Sequence, residues 1–398
     1  MRPFRRFFQT EASSGIVLLA AVAIALAWAN LQPGSYESLW QTVIPLDLGS
    51  LLPRESLHLW INEGLMAIFF LIVGLEIKRE LLDGELSSRR QAMLPAIAAL
   101  GGMIVPASIF LIFNFNGAGS RGWGIPMATD IALAIGVLML LGSRIPLGLK
   151  VFLTALAIID DIGAVIIIAF FYTGSVSWTA LGTGLILFVL LILLNHLGVR
   201  SIPVYLVVGF IIWLAFLKSG VHATIAGVLL AMTFPYRAES EDDREPPLQK
   251  LERVLQPWAA YLIVPLFALA NAGVHLEKNP LQSLGDPIGL GIILGLFLGK
   301  QIGVFFFSWI AVRLRLGSLP PAVSWRQLHG VACIAGVGFT MSLFVSLLAY
   351  DNAEQLAVSK IGVLAGSAIS ALVGLLLLTR AGKRKPEKRV TPSSEINS

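Results

Sequence analysis

Unbroken apolar runs of bilayer-spanning length recur along this chain from residue 12 to residue 379, and they limit its fold more than any other feature. The run 151–171 is one of them. It is dominated by Val, Ile, Leu, Ala and Phe and is long enough to cross a hydrocarbon core as a single helix. In lipid the backbone must satisfy its own hydrogen bonds, which leaves helices or closed barrels. A barrel would show alternating segments of about ten residues, and no such pattern dominates here. With 56% hydrophobic and 13% charged residues, the chain reads as an all-α polytopic membrane protein.

Pro, Gly and charged breaks divide the apolar stretches into twelve predicted spans, near 12–30, 57–82, 93–115, 121–141, 149–173, 178–197, 203–218, 222–235, 252–274, 287–312, 325–348 and 357–379. The loops alternate in charge. The side that holds the N-terminus carries 23 Lys and Arg, the opposite side 5, and Lys300 lies in mid-span. By the positive-inside rule both termini are cytoplasmic. The net charge of +5 then reflects topology and anionic lipid, not nucleic acid. The opening "MRPFRRFF" with "ALAWAN" could form a signal peptide, but the apolar segment is long, and retaining it keeps an even span count. Residues 44–57 suggest an external hairpin, and 381–398 a disordered cytoplasmic tail. A single cysteine, Cys333, excludes an intrachain disulfide, and the five histidines show no metal-ligand spacing.

Against this apolar background a few charges lie deep inside spans: Asp130, the adjacent pair Asp160–Asp161, and the lone base Lys300. Lys300 is 14 residues from Asp286 and 13 from Arg313, about 20 Å from either interface, too far to snorkel. Such residues resist insertion by about 2.5–3.5 kcal/mol each, so they mark function. Burial and a like-charged neighbour both favour the neutral form of a carboxylic acid, which lets protons compete for it near cytoplasmic pH. The ionised oxygens are hard ligands suited to a small hard cation. A site that binds protons or a cation and opens to the two sides alternately is an exchanger.

Two spans carry breaks at mid-depth. Span 4, "GWGIPMATDIALAIGVL", has Pro126 and the polar pair Thr129–Asp130; span 11, "GVACIAGVGFTMSLF", has Gly336, Gly338 and Thr340. Interrupted helices in corresponding positions of two halves point to inverted-topology repeats, here 93–173 and 287–379. Repeat pairing matches the span of Asp160 and Asp161 with that of Lys300.

The stretches "LAIIDDIGA", "PMATDIALAIGVL", "FFLIVGLEIKREL", "LKSGVHATIAGV", "VPLFALANAGV" and "GVGFTMSLF" together resemble the NhaA family of sodium/proton antiporters over nearly the whole chain. That family is itself a standard example of inverted repeats. The resemblance implies electrogenic, pH-dependent exchange of cytoplasmic Na⁺ or Li⁺ for external protons across a bacterial inner membrane, without a cofactor. It assigns Asp161 as the main cation ligand and proton carrier, Asp160 as its partner held or released by Lys300, and Asp130 and Thr129 as the electrostatic helpers of the broken helix. It also implies a pH-responsive cytoplasmic funnel at Glu76, Lys78, Arg79, Glu80 and Glu252, with His222 a modulator, and a homodimer joined through the 44–57 hairpin. Arg253 and Gln256 stand in "LERVLQPW" where histidines can occur, which bears on the pH at which transport switches on.

Three rivals fit less well. An aspartyl protease needs its two acids on different helices, with one water between them, and acids about 100° apart on one helix are poorly placed for that. A passive channel gives no reason for a central lysine. A proton-coupled symporter of an organic solute would want a roomier, more polar site.

Overall fold

The computed structural model describes residues 2–44, 55–117, 119–236, 246–275 and 285–381. All twelve predicted spans are helical: α1 Arg2–Leu31, α2 Leu57–Asp83, α3 Arg89–Asn114, α4 Ser120–Met139, α5 Leu147–Phe171, α6 Trp178–His196, α7 Ile202–Ser219, α8 Thr224–Thr233, α9 Pro247–Asn271, α10 Pro287–Arg313, the pair α11a Trp325–Ile334 and α11b Phe339–Ala349, and α12 Ala353–Ala381. Ten of these are long and apolar enough to cross a bilayer alone, and the α11 pair, bent by 44°, makes eleven.

The eighth expected span, 222–235, gives a shorter helix. Its helix α8 has ten residues, about 15 Å, half the thickness of a hydrocarbon core. Gly220, at φ +80°, turns the chain out of α7, and Pro235 keeps the residue before it out of helical geometry. Along its length α8 packs against α2. A Cβ on Gly227 would meet Ala67 O at 2.2 Å, so only glycine allows this approach. Lys78 on α2 donates to Met232 O and Phe234 O at 2.6 and 2.7 Å, supplying partners to the carbonyls at the end of α8.

Among the described residues the β content is one antiparallel bridge, Val43 to Ser56, flanked by Ile44 N–H to Glu55 O at 3.3 Å and Leu57 N–H to Thr42 O at 2.9 Å. Residues 45–54 of the expected hairpin lie outside the described residues, as does the expected tail beyond Ala381.

Two features place the site. First, α3 and α10 pack backbone to backbone: a Cβ on Gly303 would meet Gly101 O at 2.1 Å, and one on Gly299 would meet Pro106 Cα at 2.7 Å. Lys300 follows one widened turn, Gly295–Gly299, in which the Lys300 N–H reaches back to Gly295 O. Second, both predicted interruptions are present. In α4, a tight 3₁₀ segment Ser120–Met127 gives way to extended backbone at Ala128 and Asp130 before the α-helix Ile131–Met139. Irregular backbone survives at membrane depth only inside protein, and Ala128, Thr129 and Asp130 are all buried.

Candidate functional site

The two breaks meet. Asp130 N–H donates to Val337 O at 2.7 Å, and Thr129 Oγ1 reaches Ala335 O at 2.8 Å. Asp130 is the N-cap of the second half of α4, where its Oδ1 accepts from Leu133 N–H at 2.9 Å. Its Oδ2 accepts from Thr340 N–H at 3.0 Å, in the first turn of α11b, and from the Thr340 hydroxyl. One carboxylate therefore faces the positive ends of two half-helices, which is where a negative charge is most favoured. Gly336 and Gly338 permit the crossing: a Cβ on Gly336 would meet Leu296 O at 2.2 Å, and one on Gly338 would meet Ala128 O at 2.9 Å.

Asp160 and Asp161 follow one another on α5, and the 100° between successive helical residues sends them to different partners. Asp160 Oδ2 pairs with Lys300 Nζ of α10 and accepts from the Thr129 hydroxyl at 2.6 Å. Acid and base are both fully enclosed, so neither charge is compensated by water. Asp161 has no basic partner among the described ion pairs. It lines a cavity of about 70 Å³ together with Asp130, Thr340, Glu76, Glu252 and Ser14. The Oδ1 atoms of Asp160 and Asp161 are both buried without a hydrogen-bond partner among the described residues. Of the two, the Asp161 oxygen belongs to a cavity-lining side chain, and a spare carboxylate oxygen there is what a proton or a small hard cation would occupy.

The cavity leads to a wider vestibule of about 510 Å³, with Glu76, Glu252 and Gln256 shared by both. Arg79, Glu80, Asp83, Glu85 and Arg253 line the vestibule as well. Arg79 Nε donates to both oxygens of Glu252 at 3.0 and 3.1 Å, and another Arg79 nitrogen pairs with Glu80 at 2.8 Å. Of the predicted funnel residues, Glu76, Arg79, Glu80, Glu252 and Arg253 thus come together. Lys78 points to the end of α8 instead. His222 is elsewhere too, hydrogen-bonded to Tyr172 O at 2.9 Å and 3.5 Å from Glu63, which lies about 20 Å along α2 from Glu76.

A search of the sequence for embedded charge misses the hydroxyls that frame the crossing. Ser367 of α12 accepts from Gly338 N–H and Phe339 N–H, and Ser342 donates to Ile125 O at 2.7 Å. Tyr172 and Tyr350 donate to Arg121 O and Gly119 O at 2.7 and 2.8 Å, pinning the 3₁₀ half of α4. The usable signal is small polar residues among glycines, as in "LAGSAIS".

Comparison with known proteins gives a consistent result. The family model described as Na+/H+ antiporter 1 matches residues 5–378. The chain is 51% identical to the Na(+)/H(+) antiporter NhaA of Rhodospirillum rubrum, over 96% of this chain and 97% of that protein. It is 46% identical to the protein of the same name from Oleidesulfovibrio alaskensis, over 98% and 96%, and 50% identical to that of Salmonella arizonae, over 94% and 97%.

Proposed function

The chain belongs to the Na+/H+ antiporter 1 family, and on that basis we propose that it exchanges cytoplasmic Na⁺ or Li⁺ for external protons at Asp161 and Asp160. The observation that carries the reading is the divided acid pair: Asp160 is held by Lys300, while Asp161 faces a small cavity continuous with a charged vestibule. A cation entering from the vestibule meets Asp161 first. Ionised carboxylate oxygens and the Thr129 hydroxyl are hard donors for it. Its charge competes with Lys300 for Asp160, so arrival of the cation and loosening of the Asp160–Lys300 pair are coupled.

Protons compete for the same oxygens. A low-dielectric site tolerates two adjacent acids either as neutral carboxyls or as carboxylates balanced by positive charge. If the cation displaces the proton of Asp161 and also releases the proton that the Asp160–Lys300 pair shares, two protons move against one cation. The cycle then carries net charge, which makes it electrogenic. Only proton transfer and ion coordination are involved, and no resident cofactor has a role in them.

Alternating access would run through the crossing of α4 and α11, where irregular backbone can change without breaking an intact helix. Contact between the breaks agrees with inverted repeats at 93–173 and 287–379. The charge bias of the loops supports a cytoplasmic vestibule side, and the likeness to bacterial antiporters supports a bacterial inner membrane. There Glu76, Arg79, Glu80, Glu252 and Arg253 would tie transport to cytoplasmic pH. The Val43–Ser56 bridge supports the expected pairing of the two ends of 44–57, the segment through which two copies would associate.

The test follows internal pH in inside-acid proteoliposomes after addition of NaCl, LiCl or KCl. Alkalinisation by Na⁺ and Li⁺ but not K⁺, lost in Asp161→Asn, is the expected result. If Asp161→Asn matches wild type, or if no cation moves protons at any pH around neutrality, exchange at this pair is wrong and a proton-coupled solute symporter takes its place.

A further inference from the structure

Half-helix α11b begins without a cap of its own. Its N-cap residue is Gly338, which has no side chain, yet the first N–H groups of any helix need acceptors from outside the helix. Thr340 N–H finds Asp130. The two before it, Gly338 N–H and Phe339 N–H, both reach Ser367 Oγ at 3.2 Å. Ser367 belongs to a different helix, α12, and is 4% exposed, so water does not share the work. The serine side chain thus does from a neighbouring helix what Ser, Thr or Asp would do at the N-cap itself.

We propose that Ser367 is a positioning residue for cation exchange, capping α11b in trans so that the Asp130–Thr340 contact, and through it the cavity beside Asp161, keeps its geometry. Without its oxygen, two buried N–H groups lose their acceptor. The carboxylate at this helix end, Asp130, is already engaged by Leu133 N–H, Thr340 N–H and the Thr340 hydroxyl. Competition for that carboxylate disturbs the crossing. It also leaves more uncompensated positive charge at the head of α11b, next to the cavity that receives the cation. Both effects weaken cation binding more than they slow the movement of a bound cation.

Ser370 provides the control. Three residues on, it shares the helix face of Ser367 and is fully buried, and its hydroxyl has no hydrogen-bond partner among the described residues. Loss of the Ser370 hydroxyl therefore reports generic packing on this face.

The inference rests on the exchange reading above, and wild-type exchange in the same proteoliposomes checks that reading separately. With wild type active, Ser367→Ala is expected to raise the apparent KM for Na⁺ about fivefold, as loss of a typical cap would, with kcat within about twofold of wild type. Ser367→Cys, close in size but a poor acceptor, is expected to show the same rise and serves as the test if the alanine variant fails to fold. Ser367→Thr, which keeps an acceptor oxygen, restores a near-wild-type KM, and Ser370→Ala leaves it unchanged. The proposal is overturned if Ser367→Ala or a folded Ser367→Cys keeps the wild-type KM, or if Ser370→Ala produces an equal rise.

Discussion

Helices α4 and α6 are both long and apolar enough to cross a bilayer, yet the structure uses them in opposite ways. Helix α6 is a continuous rod in which only Gly184 and Leu191 are buried, and Ile186 is 72% exposed to the surroundings, which for this chain means lipid. Helix α4 is broken at Ala128–Asp130 and sunk in protein, with Thr129 and Asp130 buried away from lipid. Hydropathy sees two spans. Burial separates an anchor, whose hydrogen bonds are all its own, from a working element whose freed backbone groups must be met by side chains.

Asp130→Ala puts this contrast under the greatest strain. It removes at once the acceptor for Leu133 N–H, Thr340 N–H and the Thr340 hydroxyl. Removing one member of a buried charged network typically costs about 3–5 kcal/mol. A fall of that order in unfolding free energy, read by denaturation in detergent, and loss of exchange in proteoliposomes are both expected. A variant that melts and transports like wild type would mean that the crossing does not depend on its carboxylate.

A glycine pair gives the next effect. Gly336→Ala pushes a methyl group to 2.2 Å from Leu296 O, a backbone atom with little freedom to move, and overpacking of this kind costs about 1–3 kcal/mol. On α6, a Cβ at Gly182 meets nothing within 4 Å. Gly182→Ala is expected to stabilise by up to about 1 kcal/mol through helix propensity alone. Opposite signs in the two melting shifts would uphold the division between working and anchoring helices; equal signs would remove it.

The smallest effect is expected at the lipid face. Ile186→Ala removes side-chain atoms that touch little protein. A change within about 0.5 kcal/mol, with unaltered Na⁺-driven proton movement, is expected. A larger loss would show that α6 packs against something more specific than lipid.

Much of the site was legible because its residues are costly where they are. Charges at Asp130, Asp160, Asp161 and Lys300 stand out in apolar runs, and all four are buried together around one crossing. Both helix breaks could be read from Pro126, Thr129–Asp130 and the Gly336–Gly338 pair. Less legible was the length of α8, cut to ten residues between Gly220 and Pro235. Lys78 shows the same limit. It sits in sequence beside Arg79 and Glu80, yet it turns to the carbonyls of α8 while its neighbours face the vestibule, because successive residues on a helix point about 100° apart.

Composition and patterning alone make this chain a bundle of membrane helices with a few ionisable groups at depth, because the cost of exposing backbone or charge to hydrocarbon falls on each segment locally. The contact of Lys300 with Asp160, expected from the resemblance alone, and the capping of α11b by a serine from α12, which nothing in the sequence announced, are products of the packed bundle. Those outcomes depend on the rotation and approach of separate helices, set by contacts between residues as far apart as Thr129 and Ala335 or Gly338 and Ser367.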